Sequence, residues 1–460
     1  MKIPSAPPEF VDTYTTLLNR LAKLDAEVSM AAREAMVAIG PTDVKNRYLH
    51  WDDFRFRSPH APLTLAESWS LTKLSRKRIA TPTPFADETG VPFTFVQTDH
   101  LSKCLHEIDS ETRGGIQFSG VVPSEQDAKR YLIKSLIEEP FNSSVLEGAA
   151  TTRDEAKRLI RQNTPPRTIG EKMVVNNYHA IEFIKSQRDE LLTPAIICEL
   201  HRIITEGTLD KPDKAGAFRS KDDDINVVDD TNNTILHTPP PAELLDNRIQ
   251  TICDFANGQV AADKFVHPIL RAMILHFMLA YDHPFVDGNG RTARALFYWS
   301  ALKDGYWLLE YVSISRIINT APAKYGMAFL YTETDENDLT YFLIHQIDVL
   351  TQAIDDLGKF IKNKQTEIAQ LGTVLRSEQL RRDLNHRQLS LLNDAVHAPE
   401  MIYKISDYQK LHAISYLTAR KDLERLASLD FLTKQKRGNT SFYRPAPRLA
   451  GKLSARSVHK

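Results

Sequence analysis

The chain has 460 residues, with 58 Lys and Arg against 59 Asp and Glu, for a net charge of −1. Its length allows two or three domains with proper cores, and an apolar fraction of 42% is that of an ordinary soluble globular protein. Three isolated cysteines, Cys104, Cys198 and Cys253, exclude a disulfide framework or a zinc spacing and point to a reducing cytoplasm.

The opening MKIPSAPPEF lacks the apolar core of a signal peptide, and no run approaches membrane-spanning length, so no membrane partner is expected. Balanced overall charge leaves local basic patches and nucleic-acid contact open. Residues 1–9 read as a loose Pro-rich arm. From Val11 to Ile39, Leu17, Leu21, Leu24 and Val28 recur at helical spacing before Gly40-Pro41. Tyr48 to Phe54 is aromatic and reads as core, Thr81-Pro-Thr-Pro and Gly90-Val-Pro as loops, and Leu101 to Asp109 as a short helix before Gly114-Gly115.

Within Tyr131 to Ile160, Ser143-Ser-Val-Leu-Glu147-Gly148 reads by itself as a surface helix with a solvated Glu. Thr151 starts another helix, and Pro165-Pro166 breaks the chain. Glu171 to Ile184 and Thr193 to Ile204 are amphipathic helices, the second ending at Glu206-Gly207. Asp222 to Val228, a turn at Asp229–Asn233 and Thr234 to His237 predict a β-hairpin, closed by Pro239-Pro-Pro. Its bland reading is a surface hairpin; beside a nucleotide site it could hold an extended segment by edge pairing. Leu244 to Ala256 is the next helix.

Ile269 to Tyr281 is a dense apolar run begun by Pro268, a buried helix, and Ala295 to Trp307 is a second, with Leu296, Phe297, Trp299 and Leu302. Between them lies His283-Pro-Phe-Val-Asp-Gly-Asn-Gly-Arg-Thr-Ala-Arg294. Gly288, Asn289 and Gly290 tolerate positive φ and can turn backbone N–H groups toward one anion at a helix N-terminus. Arg291 and Arg294 fall three apart in the first turn, where each opposes the helix dipole at a cost of roughly 0.3–1 kcal/mol. A polyanion in front of them explains that cost. Asp287 is an oxygen ligand suited to Mg²⁺ held against phosphate. His283 has the ordinary pKa that suits proton abstraction near neutrality. An EF-hand is excluded by Arg291 at the fifth position, and no GxxxxGK[ST] loop is present. The stretch reads as a phosphate-transfer site.

The string HPFVDGNGRTAR is similar at every defined position to the HxFx[DE]GNGRxxR signature of the Fic family, whose members transfer AMP from ATP to a hydroxyl side chain of a target protein. The resemblance implies a mainly α fold, a helical core with a β-hairpin flap. It implies His283 as catalytic base and Asp287, Gly288, Asn289, Gly290, Arg291, Thr292 and Arg294 as the Mg²⁺-ATP site. Asp282 departs from the pattern, because members often carry an apolar residue before the histidine. Its carboxylate either raises the pKa of His283 or faces water. Ser143 to Gly148 resembles the [ST]xxxE[GN] inhibitory motif of one class of the family. That likeness implies Glu147, bidentate on Arg294, occupying the guanidinium meant for the γ-phosphate. Ile225, Asn226, Val227 and Val228 match the flap, and Tyr325 and Asn337 match segments that border the adenosine pocket. Residues 1–115 resemble the helical extension of larger members.

After the motif, Tyr325, Phe329 and Leu330 share a helix. Leu350 to Leu375 places Ile354, Ile361, Ile368 and Leu375 at heptad spacing, with Leu357 and Leu371 between them and Gly358 and Gly372 as interruptions. It reads as a connector packed on the core, with a homodimer as the other use. His386 to Ala395, Ser406 to His412, and Ser415 to Leu429 capped by Ser415, followed by a hairpin around Gln435–Asn439, look like a winged helix-turn-helix. Arg420, Lys421 and Arg425 on the third helix and Lys434, Lys436 and Arg437 on the wing suit nucleic-acid phosphates, the alternative being a protein-docking wing.

The expected organisation is a helical extension at 1–115, a catalytic domain at 116–350 with its inhibitory helix near 131–160, a connecting helix at 351–384 and a winged helix at 385–460. The expected partner is a protein bearing a Ser, Thr or Tyr hydroxyl, with self-modification. Two alternatives stand beside it. One is a nucleotide-sensing DNA-binding regulator; the other is an enzyme of the same fold with another donor or a de-AMPylating activity.

Overall fold

The computed structural model describes residues 2–23, 25–112, 135–162, 164–229, 232–259, 265–375, 378–397, 401–437 and 440–458. It is mostly helical and divides into two compact units, the described residues up to Asp355 and those from Asp356 onward. The expected extension and catalytic segment thus share one unit.

At the centre of the first unit, helix Pro268–Asp282 packs against helix Asn289–Lys303. Pro268 sits at the first turn, where its missing N–H costs nothing, and the His267 ring accepts from Ile269 N. Leu270, Met273, Ile274, Phe277 and Met278 on one helix and Ala293, Leu296, Phe297, Trp299 and Ala301 on the other are buried. Burial of these side chains places the pair in the middle of the unit, and each such Leu or Phe contributes about 1.5–3 kcal/mol. Helices Glu138–Leu146, Ile169–Ser186, Pro194–Thr205 and Leu245–Ala256 surround this pair. Thr168 and Thr193 start two of them by accepting from Glu171 N and Ile196 N. The second central helix starts earlier than its apolar residues suggest, because Gly288 in the left-handed region is its N-cap. It also ends earlier, at Lys303, and Trp307 falls in a following short 3-10 turn.

Three other expectations are corrected in this unit. Val11 to Ile39 is two helices, Phe10–Leu21 and Ala26–Ala38, because the Asp25 carboxylate accepts from Val28 N and begins a new one; Leu24 lies outside the described residues. Thr81-Pro-Thr-Pro, expected as a loop, is strand, Thr81–Ala86 paired antiparallel with Pro92–Phe95, while Gly90 and Val91 lie in the turn between them as expected. A two-stranded ribbon is all edge, so Pro82, Pro84 and Pro92 remove no needed donor. The flap hairpin is shorter than expected, Val227–Asp229 paired with Thr234–His237. Asp223 gathers Ser220 N and Ser220 Oγ, both at 2.9 Å, into a turn that keeps the preceding residues out of the ladder. Gly114, Gly115, the start of the 131–160 segment and part of the Asp229–Asn233 turn lie outside the described residues.

Helix Thr340–Leu375 begins well before the expected connector. Ile354, Leu357 and Ile361 are buried, and the side chains of Ile368 and Leu371 lie outside the described set. The second unit contains helices His386–His397, Ile405–His412 and Tyr416–Ser428 and a sheet of order Tyr403–Lys404, Thr440–Pro445, Leu432–Arg437, whose first strand lies between the first two of these helices. Leu392, Leu423, Leu426, Phe431, Tyr443 and Leu453 form its core. Three helices and a β-ribbon follow the expected winged-helix order, and Ser415 caps the third helix by accepting from Thr418 N. Among the described residues no helix is long and apolar enough to cross a membrane.

Candidate active site

His283 ends the first central helix with φ 44° and ψ 56°, a left-handed cap that turns its side chain out of the helical path. Its Nδ1 lies 3.3 Å from Ala280 O, an acceptor only, so Nδ1 carries the proton and Nε2 keeps its lone pair. Burial lowers its pKa to about 4, which leaves the ring neutral at pH 7. A neutral imidazole with one open nitrogen is competent to take a proton.

Asn289 closes the loop by accepting from Phe285 N at 2.9 Å and donating to Phe285 O at 2.8 Å. Thr292 Oγ1 donates to Gly288 O at 2.8 Å. Both side chains hold the backbone, which leaves N–H groups of the first turn to face an anion. The Gly288 N–H is already used by Asp287 Oδ1 at 2.6 Å, so the nest is narrower than the three consecutive donors expected. Gly288 sits at φ 81°, and an added Cβ would meet Thr205 Cγ2 at 2.8 Å. Gly288→Ala is therefore expected to destabilise the protein by about 1–3 kcal/mol, read as a lower urea midpoint at unchanged slope. An unshifted midpoint would show that the loop does not need glycine there.

The two arginines are buried, Arg291 at 2% and Arg294 at 1% exposure. Arg291 Nη1 donates to Ile204 O at 3.2 Å, Nη2 lies 3.5 Å from Asp287 Oδ2, and its Nε has no partner. Burial lowers its pKa. An orphaned buried donor next to open N–H groups is what a site awaiting phosphate would contain. Asp287 has a mostly exposed side chain, so a cation can reach its carboxylate from solvent.

Arg294 Nε donates to Ser143 Oγ at 3.0 Å, and Nη2 donates to Ser143 O at 3.1 Å and to Glu147 Oε1 at 2.8 Å. The solvated surface reading of Glu147 is thereby overturned. So is the bidentate geometry, because Ser143 takes part of the guanidinium. Burial pushes the Glu147 carboxyl up, and the charges of Arg294 and Arg291 outweigh it to give a lowered pKa. A Cβ at Gly290 would overlap the Glu147 carboxylate, so that oxygen lies directly over the nest. The helix bearing it is fixed by buried Glu139, which accepts from Ser313 Oγ, Ser315 N and Ser315 Oγ.

Neither reading of Asp282 holds. It is fully buried, and Arg248 Nε donates to its Oδ1 at 2.6 Å while Arg248 Nη1 reaches Ala86 O at 2.8 Å. Burial raises its pKa to about 6 against the charge of Arg248.

Of the flap residues, Val227 and Val228 are in the strand, Val228 exposed, whereas Ile225 and Asn226 precede it. The two candidates for the adenosine pocket separate. Tyr325 hydrogen-bonds His276 Nε2 at 2.8 Å and lies near enough to Arg294 and Glu147 to feel their charges. Asn337 instead donates to Asp87 Oδ2 at 2.8 Å and Val91 O at 3.1 Å, bound to the Pro-rich hairpin.

Some residues that shape the site gave no sequence signal. His201 Nδ1 accepts from Gly216 N at 2.9 Å, so its Nε2 donates to Asp287 O at 2.8 Å, and the ring stacks 3.7 Å from Phe285. Arg219 Nε donates to His283 O at 2.9 Å. Isolated polar residues on a helix and a loop have no spacing that could announce these contacts. On the second unit, Glu424 accepts from Arg420 at 3.0 Å and Lys434 at 2.9 Å, while Lys421 and Lys436 are exposed; the Arg437 side chain lies outside the described set.

Residues 191–301 match the model of the Fic/DOC family. A protein from Nematostella vectensis named protein adenylyltransferase Fic is 28% identical over 184 residues, 39% of this chain and 40% of that protein. One of the same name from Drosophila melanogaster is 24% identical over 332 residues, 68% of this chain and 61% of its own length. The chain thus spans 40–61% of these curated relatives. The crystal structure of a Fic family protein from Desulfovibrio desulfuricans, 17% identical, matches 77% of this chain and 98% of its own with a TM-score of 0.50, a likeness of fold.

Proposed function

We propose that this chain, which carries a Fic/DOC domain over residues 191–301, is a protein adenylyltransferase that moves AMP from ATP to a hydroxyl of a target protein and is restrained by its own Glu147. The observation that carries the reading is the half-buried 2.8 Å contact between Glu147 and Arg294 directly above the loop that presents His283. In this reading the ATP phosphates lie before the first turn of helix Asn289–Lys303, where open N–H groups and the helix dipole favour anions. Arg291 binds the α/β-phosphate region through donors that include its unpartnered Nε. Arg294, once released by Glu147, takes the γ-phosphate. The target oxygen bonds to the α-phosphorus as the bond to the β-phosphate oxygen breaks. His283 Nε2 receives the hydroxyl proton, and pyrophosphate departs. Positioning and electrostatics supply most of the rate.

Asp287 suits Mg²⁺, a cation that takes one or two carboxylates and completes its shell with substrate phosphate and water. When bound it would neutralise phosphate charge. Asp287 would hold it, and His201 holds Asp287's carbonyl so that the loop keeps its shape. The names of the relatives support protein targets and ATP as donor.

The test is incubation of a cell lysate with tagged ATP and the Glu147→Gly protein, followed by peptide mass spectrometry. Adenylylated Ser, Thr or Tyr peptides that vanish with Glu147→Gly/His283→Ala are expected. No peptide above that control would overturn the reading.

A second role for the C-terminal unit, salt-sensitive nucleic-acid binding, is favoured by exposed Lys421 and Lys436 on its third helix and wing. Replacing Lys434, Lys436 and Arg437 with Gln in the full chain should flatten the slope of log K against log salt by about 2–3, at roughly 0.9 per phosphate contact. An unchanged slope, or no duplex binding at low salt, would make the wing a protein-docking surface. Glu424, which already engages Arg420 and Lys434, weighs toward that outcome.

A further inference from the structure

We infer that His237 is a positioning residue which, as a charged imidazolium, fastens the flap to the catalytic loop and sets the alkaline limit of transfer. The inference rests on the reading of His283 as base and of the hairpin as the support for the target.

Both of its ring nitrogens face groups that can only accept. Nδ1 lies 2.7 Å from Glu333 Oε2, and Nε2 lies 2.7 Å from Tyr281 O. A neutral imidazole has one N–H and would leave a lone pair pointed at one of these oxygens. The arrangement is satisfied only when both nitrogens carry protons. The side chain is 9% exposed, so water does little to relieve a mismatch. Burial works against the charge, but the hydrogen bond and charge of Glu333 outweigh it, and the pKa lies above the ordinary histidine value.

The position gives that charge something to do. His237 is the last residue of the second flap strand, paired across the ribbon with Val227. Tyr281 and Asp282 are the last residues of the helix that delivers His283, whose carbonyls have no intrahelical partner. His237 caps Tyr281 O, while Arg219 reaches Asp282 O at 3.3 Å and His283 O at 2.9 Å and also donates to Pro240 O just beyond the flap. Two cations thus close the negative end of this helix and tie it to the flap. The flap itself is a two-stranded ribbon, with few bonds of its own to hold it over the site. Glu333, on helix Pro322–Thr334, anchors the other side of the ring.

Other charged groups face the same place. The Tyr281 ring is 4.7 Å from the His237 ring, and buried Asp282 adds negative charge that favours the imidazolium. His283 feels the His237 charge, which helps to keep it neutral. Arg248 is paired with Asp282, and Arg219 lies beyond. The sign is fixed by the raised pKa. The clamp is complete below the ordinary histidine pKa of about 6.5 and is lost as pH rises through the higher folded value. On the acid side, activity falls separately as His283, near 4, takes a proton.

The test uses the full chain with Glu147→Gly, so that transfer is fast enough to follow. Nitrogen chemical shifts of labelled histidine should show both His237 nitrogens protonated at pH 7. The rate of transfer should decline on the alkaline side as that signal titrates. His237→Gln should lower kcat by about 10- to 100-fold at pH 7 and remove the alkaline limb. His237→Arg, which keeps a charge and two donors, should recover most of the rate and hold it at higher pH. A neutral His237 ring at pH 7, or an alkaline limb unchanged in His237→Gln, would overturn the inference. His283→Ala in the same assay reports on the base assignment independently, and the nitrogen shifts read the clamp whether or not transfer occurs.

Discussion

His283→Ala should lower AMP transfer by about 10²–10⁴-fold, the usual contribution of a positioned general base, while the fold and ATP binding persist. The ring is suited to the task by two features of its surroundings. Ala280 O claims the Nδ1 proton and leaves Nε2 open, and burial lowers the pKa to about 4, so the neutral form dominates at pH 7. A base of such low pKa works by placement more than by strength. Because the hydrogen bond lost is the long 3.3 Å contact to Ala280 O, the alanine variant should keep its fold and its ATP affinity. Near wild-type transfer by the folded variant would show that the target hydroxyl loses its proton elsewhere.

Glu147→Gly should raise transfer by roughly ten- to a hundredfold at limiting ATP. A shielded, charge-assisted hydrogen bond is worth about 1.5–3 kcal/mol, and ATP must displace it from Arg294 to bind productively. The gain has to run through that arginine. In a double-mutant cycle with Arg294→Ala, the increase should disappear once the guanidinium is gone. Glu147 is the C-cap residue of its helix and its carboxylate is engaged by Arg294, so the Gly variant should melt lower by no more than the loss of that one contact, while its activity rises. If activity stays flat at every ATP concentration, the Glu147–Arg294 contact is structural and the restraint lies elsewhere. Ser143 should act differently: it shares the guanidinium through both Oγ and its carbonyl, and Ala there removes only the 3.0 Å hydroxyl contact.

What the sequence revealed and what it hid follow from how each signal is encoded. The 283–294 loop was legible because glycines, a histidine, a carboxylate and two arginines are packed into one short stretch with a single chemical purpose. The first central helix was legible because a run as apolar as Ile269 to Tyr281 can only be interior, and the second by Leu296, Phe297, Trp299 and Leu302. Glu147 was legible as a partner of Arg294 only through resemblance, since nothing in a Ser and a Glu four residues apart points to an arginine 147 positions away. Asp282 read wrongly because its partner, Arg248, lies on another helix and supplies the charge that lets a carboxylate stay buried. Pro82, Pro84 and Pro92 read as loops because proline is excluded from most ladders, and the exception, a ribbon with no central strand, is visible only once the pairing is known. His201, Arg219 and His237 share this property. Each acts on backbone carbonyls of the loop or of the helix end that leads into it, and backbone acceptors leave no trace in the identity of the residues that own them.

The position of the label is the most direct test of the central claim. Glu147→Gly protein is incubated with Mg²⁺ and ATP labelled at either the α- or the γ-phosphorus, with His283→Ala added in a parallel reaction, and protein-bound label is counted. The account predicts label from α-labelled ATP only, lost with His283→Ala. Label from γ-labelled ATP would make the site a phosphotransferase, and label from neither, in protein that binds ATP, would contradict nucleotidyl transfer by this loop.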